Sequence, residues 1–155
     1  MHPDPSTPDE LDGLEALIGA WAAAQLVDNP AVDAVVRDEE SGERRWFVRL
    51  FGEEKSVFSV WFHLRQRTLN VETYFMPAPE ERAGELYEHL LRRNQRLYGF
   101  TFAIGDEDAV FLIAQVPNAM VDEVELDRLL GSAYAYVEQC FRPAMRIGFG
   151  SRFKG

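Results

Sequence analysis

The chain has 155 residues and a formal net charge of −10, with a pI near 4.7. A negative field of that size repels nucleic acid and anionic membranes, so neither is an expected partner. Hydrophobic residues make up 46% and charged residues 27%, a globular balance that lets one domain bury roughly 68–70% of its unfolded surface without a metal or disulfide. The single cysteine, Cys140, leaves no internal disulfide to form. No apolar run approaches the roughly 18 residues of a membrane span, and "MHPDPSTPDE" carries no apolar signal segment. A reducing, cytoplasmic location is the expectation.

Residues 1–7, "MHPDPST", are polar and proline-rich and read as a disordered tail. Thr7, Pro8 and Glu10 then form a capping box with proline at the first helical position. Leu11, Leu14, Ile18 and Trp21 follow at helical spacing, and Asn29-Pro30 closes the segment. From Val32 the period shortens to two. A turn at Ser41-Gly42 separates two strand candidates. Val57 to Arg65 alternates with Phe58, Val60, Phe62 and Leu64 on one side. After a tight turn at Gln66-Arg67, Leu69, Val71, Thr73 and Phe75 share a face, with Asn70, Glu72 and Tyr74 opposite. So short a turn requires antiparallel pairing.

"MPAPEE" ends the sheet and opens a second helix, with Pro79, Glu80 and Glu81 suited to its first turn. Its stripe is Ala83, Leu86, Tyr87, Leu90, Asn94 and Leu97, and Gly99 is its stop. Phe100, Phe102 and Ile104 alternate in the next strand, "GDED" turns, and Val110 to Ala114 make another strand. Asp122 and Glu125 cap a last helix whose stripe is Leu126, Leu130, Ala133, Val137 and Phe141. Residues 143–155 are basic and glycine-rich and read as an irregular tail. The order helix, four strands, helix, two strands, helix predicts a single α+β domain over 8–142. Its sheet is largely antiparallel, with the helices on one face.

No chemical motif stands out. Arg92, Arg93 and Arg96 fall in the last turns of a helix, where cations complement the dipole and amide hydrogens are not free for an anion. "GDED" lacks the spaced ligands of a calcium loop. His2, His63 and His89 have no zinc spacing. Cys140 sits near the end of an amphipathic helix and reads as a small core residue, although a couple with His63 is open from sequence. Asn94 lies on an apolar stripe, so its amide is expected to bond the backbone of a neighbouring segment. No catalytic, cofactor-binding or metal-binding residue is assigned. The competing reading is a small-ligand or enzymatic pocket between helix and sheet, using His63, Tyr74 or Asn94.

The second face of the sheet is the strongest signal. It is expected to carry Trp61, Val57, Phe111, Ile113 and either Trp46 or Phe47 with Phe51. Side by side, these would make an apolar patch beyond what a monomer shows. Trp61, Phe51, Phe111 and Ile113 are therefore candidate interface residues, for a second copy or a client protein.

The order of elements from Leu11 to Phe141 resembles the YbjN family. So does the segment "LLRRNQRLYGFTFAIGDEDAVFLIAQV" (Leu90 to Val116), in which an Asn-bearing helix runs into an aromatic strand, an acidic turn and an apolar strand. That family is similar in fold to class I type III secretion chaperones. The resemblance implies a small cytoplasmic protein without a cofactor. It implies action by binding another protein, in a chaperone-like or regulatory role, often as a dimer. An extra N-terminal strand and the basic tail depart from the pattern.

Overall fold

The structure, a computed structural model, describes residues 3–153. Along them run α1 (Pro8–Asp28), β1 (Val32–Arg37), β2 (Arg44–Phe51), β3 (Val57–Leu64), β4 (Thr68–Met76), α2 (Ala83–Asn94), β5 (Thr101–Ile104), β6 (Val110–Pro117) and α3 (Glu123–Gly148). The strands form one sheet in the order β1-β2-β3-β4-β6-β5. Every pairing is antiparallel.

α1 begins where its capping box dictates. Thr7 Oγ1 accepts from the Glu10 amide at 3.1 Å and Glu10 Oε1 accepts from the Thr7 amide at 3.0 Å. The residues before it are not loose. The Ser6 amide donates to Gln66 O at 2.8 Å, and Arg67 reaches Pro3 O. Buried Asn118 donates to Ser6 Oγ, Arg65 O and Gln66 O at 2.9, 2.9 and 3.1 Å. The expected disordered tail is therefore ordered from Pro3, because the β3–β4 turn offers carbonyls that need donors.

Alternation places Trp46, Val48, Leu50, Phe58, Val60, Phe62, Leu64, Leu69, Val71 and Phe75 in the core. α3 supplies Leu126, Leu129, Leu130, Ala133, Val137, Cys140 and Ala144 against them. Trp21 of α1 packs edge-on to Phe62 at 5.3 Å and donates its indole N–H to Asp127 of α3 at 2.8 Å. The buried tryptophan of β2 is Trp46; Phe47 takes the other face.

Two helix boundaries differ from the sequence reading. α2 starts at Ala83, not at Pro79. Instead of opening a helix, the amides of Glu80 and Glu81 donate to Gly148 O at 3.0 and 3.1 Å. Arg82 Nε and Nη2 donate to the carbonyls of Ile147 and Arg146 at 3.0 and 2.5 Å. These donors satisfy the exposed carbonyls at the end of α3. α3 in turn runs through Pro143 to Gly148, so the expected irregular tail over 143–155 starts six residues later than read. Proline deprives the carbonyl four residues back of its donor. Arg93 of α2 approaches that carbonyl, Gln139 O, at 3.5 Å. A third difference is Ile104, which alternates with the buried Phe100 and Phe102 but is 54% exposed at the end of edge strand β5.

The β2–β3 turn is packed tightly against α3. A Cβ on Gly52 would lie 2.0 Å from Glu138 Oε1 and 2.2 Å from Lys55 O. Gly52→Ala is expected to destabilise the fold by about 2–4 kcal/mol. Gly13→Ala, whose Cβ meets nothing within 4 Å, should be neutral or stabilising by up to about 1 kcal/mol. Urea midpoints of the two variants check the contrast.

Candidate interaction face

All three helices lie on one side of the sheet, and among the described residues no layer covers its other side. The register across that open face sets Val36 opposite Phe47, Phe47 opposite Trp61, Trp61 opposite Glu72 and Glu72 opposite Ile113. The Phe47 and Trp61 rings meet at 4.7 Å, and the Arg45 guanidinium lies 4.9 Å over the Trp61 ring. On β4 and β6, Tyr74 and Phe111 pair edge to face at 5.6 Å. Edge-to-face and tilted pairs of this kind add about 0.5–1.5 kcal/mol beyond area burial.

The four residues named from sequence are thus partly brought together. Trp61 and Ile113 share the central row, and Phe111 sits two residues along β6 from Ile113. Phe51 stands apart beside Val57 at the end of β2, half exposed. The expected continuous apolar patch is interrupted by charge. Glu72 lies between Trp61 and Ile113. Arg45 is 3.7 Å from Asp38 and 3.8 Å from Glu43, and Arg49 is 3.2 Å from Asp33. His63 is 3.5 Å from Glu43; burial pushes its pKa down, against the pull of that carboxylate. Asn70 accepts from Thr68 and Gln115 at 3.0 and 3.1 Å and adds a polar row. The face is aromatic and laced with paired charges, a composition suited to protein contact.

The sequence left Trp46 and Phe47 as alternatives for this face, and the register decides for Phe47. One contributor escaped the sequence reading. Lys55, in the β2–β3 turn, reaches across to β4 where the β4–β6 ladder bulges between Tyr74 and Met76. Its ammonium donates to Tyr74 O and Phe75 O, both at 2.8 Å. It also stands 5.2 Å from the Tyr74 ring and 5.4 Å from the Phe141 ring. Burial lowers its pKa to about 8.

The pocket reading does not assemble. His63 and Tyr74 lie on the open face, while Asn94 is on the helix side. Asn94 grips edge strand β5: Phe102 N–H donates to its Oδ1 at 2.7 Å, and its Nδ2 donates to Phe102 O at 3.4 Å. A groove of about 250 Å³ does lie between α2 and β5, but its walls are apolar, formed by Tyr87, Leu90, Leu91, Phe102, Ala103, Ile104 and Val110. Cys140 is fully buried on the core side of α3, so the sheet separates it from His63. Burial raises its thiol pKa, with Arg93 opposing. Nor do the arginines converge: Arg92 pairs with Glu88 at 3.4 Å, and Arg93 turns to Gln139 O. "GDED" forms a tight turn with Glu107 and Asp108 at positive φ. Among the described residues no group of three or more His, Cys, Asp or Glu side chains could hold a metal ion. No helix of the described residues is long and apolar enough to cross a membrane. His2 lies outside the described residues.

This geometry defines a class: α+β proteins with helices on one face of an antiparallel sheet and an uncovered, aromatic second face. Within it, the chain belongs to the YbjN family, described as "Putative bacterial sensory transduction regulator", whose profile matches residues 13–144. It is similar to "Uncharacterized protein Mb0497" of Mycobacterium bovis and to "Uncharacterized protein Rv0487" of Mycobacterium tuberculosis. Each is 32% identical over 104 residues, covering 67% of this chain and 57% of theirs. "Uncharacterized protein ML2442" of Mycobacterium leprae is 29% identical over 110 residues, covering 71% of this chain and 60% of its own. The chain thus spans less than two thirds of these relatives' length.

Two outcomes follow from these contacts. Asn94→Ala should cost about 1–3 kcal/mol, because it leaves two β5 backbone groups unpaired. Hydrogen exchange at the Phe102 amide should accelerate beyond what the global loss explains. For Lys55, the folded pKa of about 8 lies below an unfolded value of about 10.4. Between those values the unfolded chain binds the extra proton, so stability rises with pH through that window. Its two carbonyl acceptors favour the ammonium and limit the gain to about 1–3 kcal/mol. Lys55→Met should flatten the slope of unfolding free energy between pH 8 and about 9.5, before tyrosines titrate near pH 10.

Proposed function

We propose that this chain is a non-enzymatic regulatory protein that works by binding another protein through the open face of its sheet. One observation carries the reading: the Phe47–Trp61 pair, with Arg45 stacked on it, is presented on a face that no helix covers. Trp, Tyr and Arg dominate binding hot spots, and a tryptophan anchored among paired charges fits that pattern. The family description as a sensory transduction regulator supports a regulatory role. A chaperone-like role is the narrower form of the same reading, in which the client lies along the partly exposed rings of β2, β3, β4 and β6. The buried, unpaired Cys140 suits a reducing compartment such as the cytoplasm.

The test is capture of the partner from the native host by the wild-type chain and by Trp61→Ala and Phe111→Ala, then titration of the purified partner. Each truncation should weaken binding by about 10- to 100-fold while circular dichroism stays unchanged. A partner bound equally well by both variants would refute the open face as its site.

A further inference from the structure

Where the end of α1 and the start of β1 meet α3, the helix side of the sheet holds a cavity of about 400 Å³, apart from the client face. α3 lines it with Asp127, Gly131 and Tyr134, spaced four and three residues apart and so on one face of the helix. Gly131 leaves the room: a Cβ there would meet nothing within 4 Å. Buried Leu50 and Leu130 supply apolar walls. The Tyr134 ring is held by stacking on Phe58 at 6.1 Å.

The carboxylate in this cavity is set in place by its neighbours. Trp21 Nε1 and Gln25 Nε2 both donate to Asp127 Oδ1, at 2.8 and 3.5 Å. Gln25 accepts in turn from Asn29 Nδ2 at 3.3 Å, and the Ala31 amide donates to Asn29 Oδ1 at 3.0 Å. This chain of donors fixes one carboxylate oxygen and leaves the other, Oδ2, without a donor among the described residues. Among the described residues that line the cavity, none is a lysine, arginine or histidine. A fixed anion beside apolar walls and an aromatic ring selects a cation that carries an apolar stem. The net charge of −10 favours the same sign of ligand. We propose that this cavity binds a small organic cation, an alkylammonium or alkylguanidinium. Its head group meets Asp127 Oδ2, and its stem lies along Leu50 and Leu130 beside the Tyr134 ring.

The experiment is titration of the full chain with n-pentylammonium, followed through the indole N–H signals of Trp21, Trp46 and Trp61 by heteronuclear NMR. The Trp21 signal should move saturably, because its hydrogen-bond acceptor gains a cation, while the other two stay in place. Methylammonium, which lacks the stem, should bind at least about tenfold more weakly. Hexanoate, with a similar stem and the opposite charge, should not bind. Asp127→Asn keeps an acceptor for Trp21 but removes the charge, and should weaken binding about tenfold or more. Gly131→Leu fills the cavity from a position where leucine is the better helix former, and should abolish binding with helical content preserved. Trp61→Ala should bind pentylammonium as the wild type does, so the fate of the client face is read separately. A Trp21 signal that never saturates, an equal response to hexanoate, or undiminished binding by Asp127→Asn or Gly131→Leu would overturn the inference. So would a shift of Trp61 in place of Trp21, which would put the cation on the open face.

Discussion

The sheet has one apolar layer to spend, and α3 takes the centre of it. Its stripe from Leu126 to Ala144 covers the middle strands, and apolar burial of that extent is the largest favourable term in a domain of this size. Everything else is arranged around that helix. α1 is tied to it through Trp21 and Asp127. The β2–β3 turn is tied through Glu138, whose carboxylate accepts from the amides of Glu53 and Glu54 at 3.0 and 2.6 Å. α2 is tied through Arg93 and Gln139, and the segment before it through Arg82 and the last carbonyls. Each tie pairs a group that α3 could not satisfy alone, so burial and hydrogen bonding agree on one placement.

That placement makes the molecule one-sided. Three helices suffice for one face of six strands, and the other face must face outward. An uncovered β-surface normally defends itself with polar alternation. This one compromises, setting Arg45, Arg49, His63 and Glu72 among Phe47, Trp61, Tyr74 and Phe111. The rings pair with each other, and Trp61 and Tyr74 lie under the Arg45 guanidinium and the Lys55 ammonium, which limits the apolar area shown to water.

What was legible in the sequence was local. Thr7, Pro8 and Glu10 set the start of α1 because a capping box is complete within four residues. The alternation of β3 and β4 gave the core face without any knowledge of the helices. The failures are all tertiary. Pro143 signals a helix end, and α3 passes it because a guanidinium 46 residues away approaches the orphaned carbonyl. Pro79 and two glutamates signal a helix start, yet their segment is claimed by Gly148 O. Ile104 follows the alternation but lies where α2 no longer covers β5. On the open face, Trp61, Phe111 and Ile113 were readable from period two. The pairing of Trp61 with Phe47 was not, since Trp46 and Phe47 are adjacent aromatics and only the β2–β3 register chooses between them.

The charges of the molecule constrain what its open face can meet. A net charge of −10 opposes association of any two copies at long range, so a contact between copies must be locally complementary within about a Debye length, roughly 8 Å at physiological salt. On the open face Arg45 and Arg49 are already matched to Asp33, Asp38 and Glu43 of the same chain, and desolvation of matched pairs is a cost that ring contact must first overcome. That cost is smallest where the rim pairs stay hydrated and only the rings of Trp61 and Phe111 lose water.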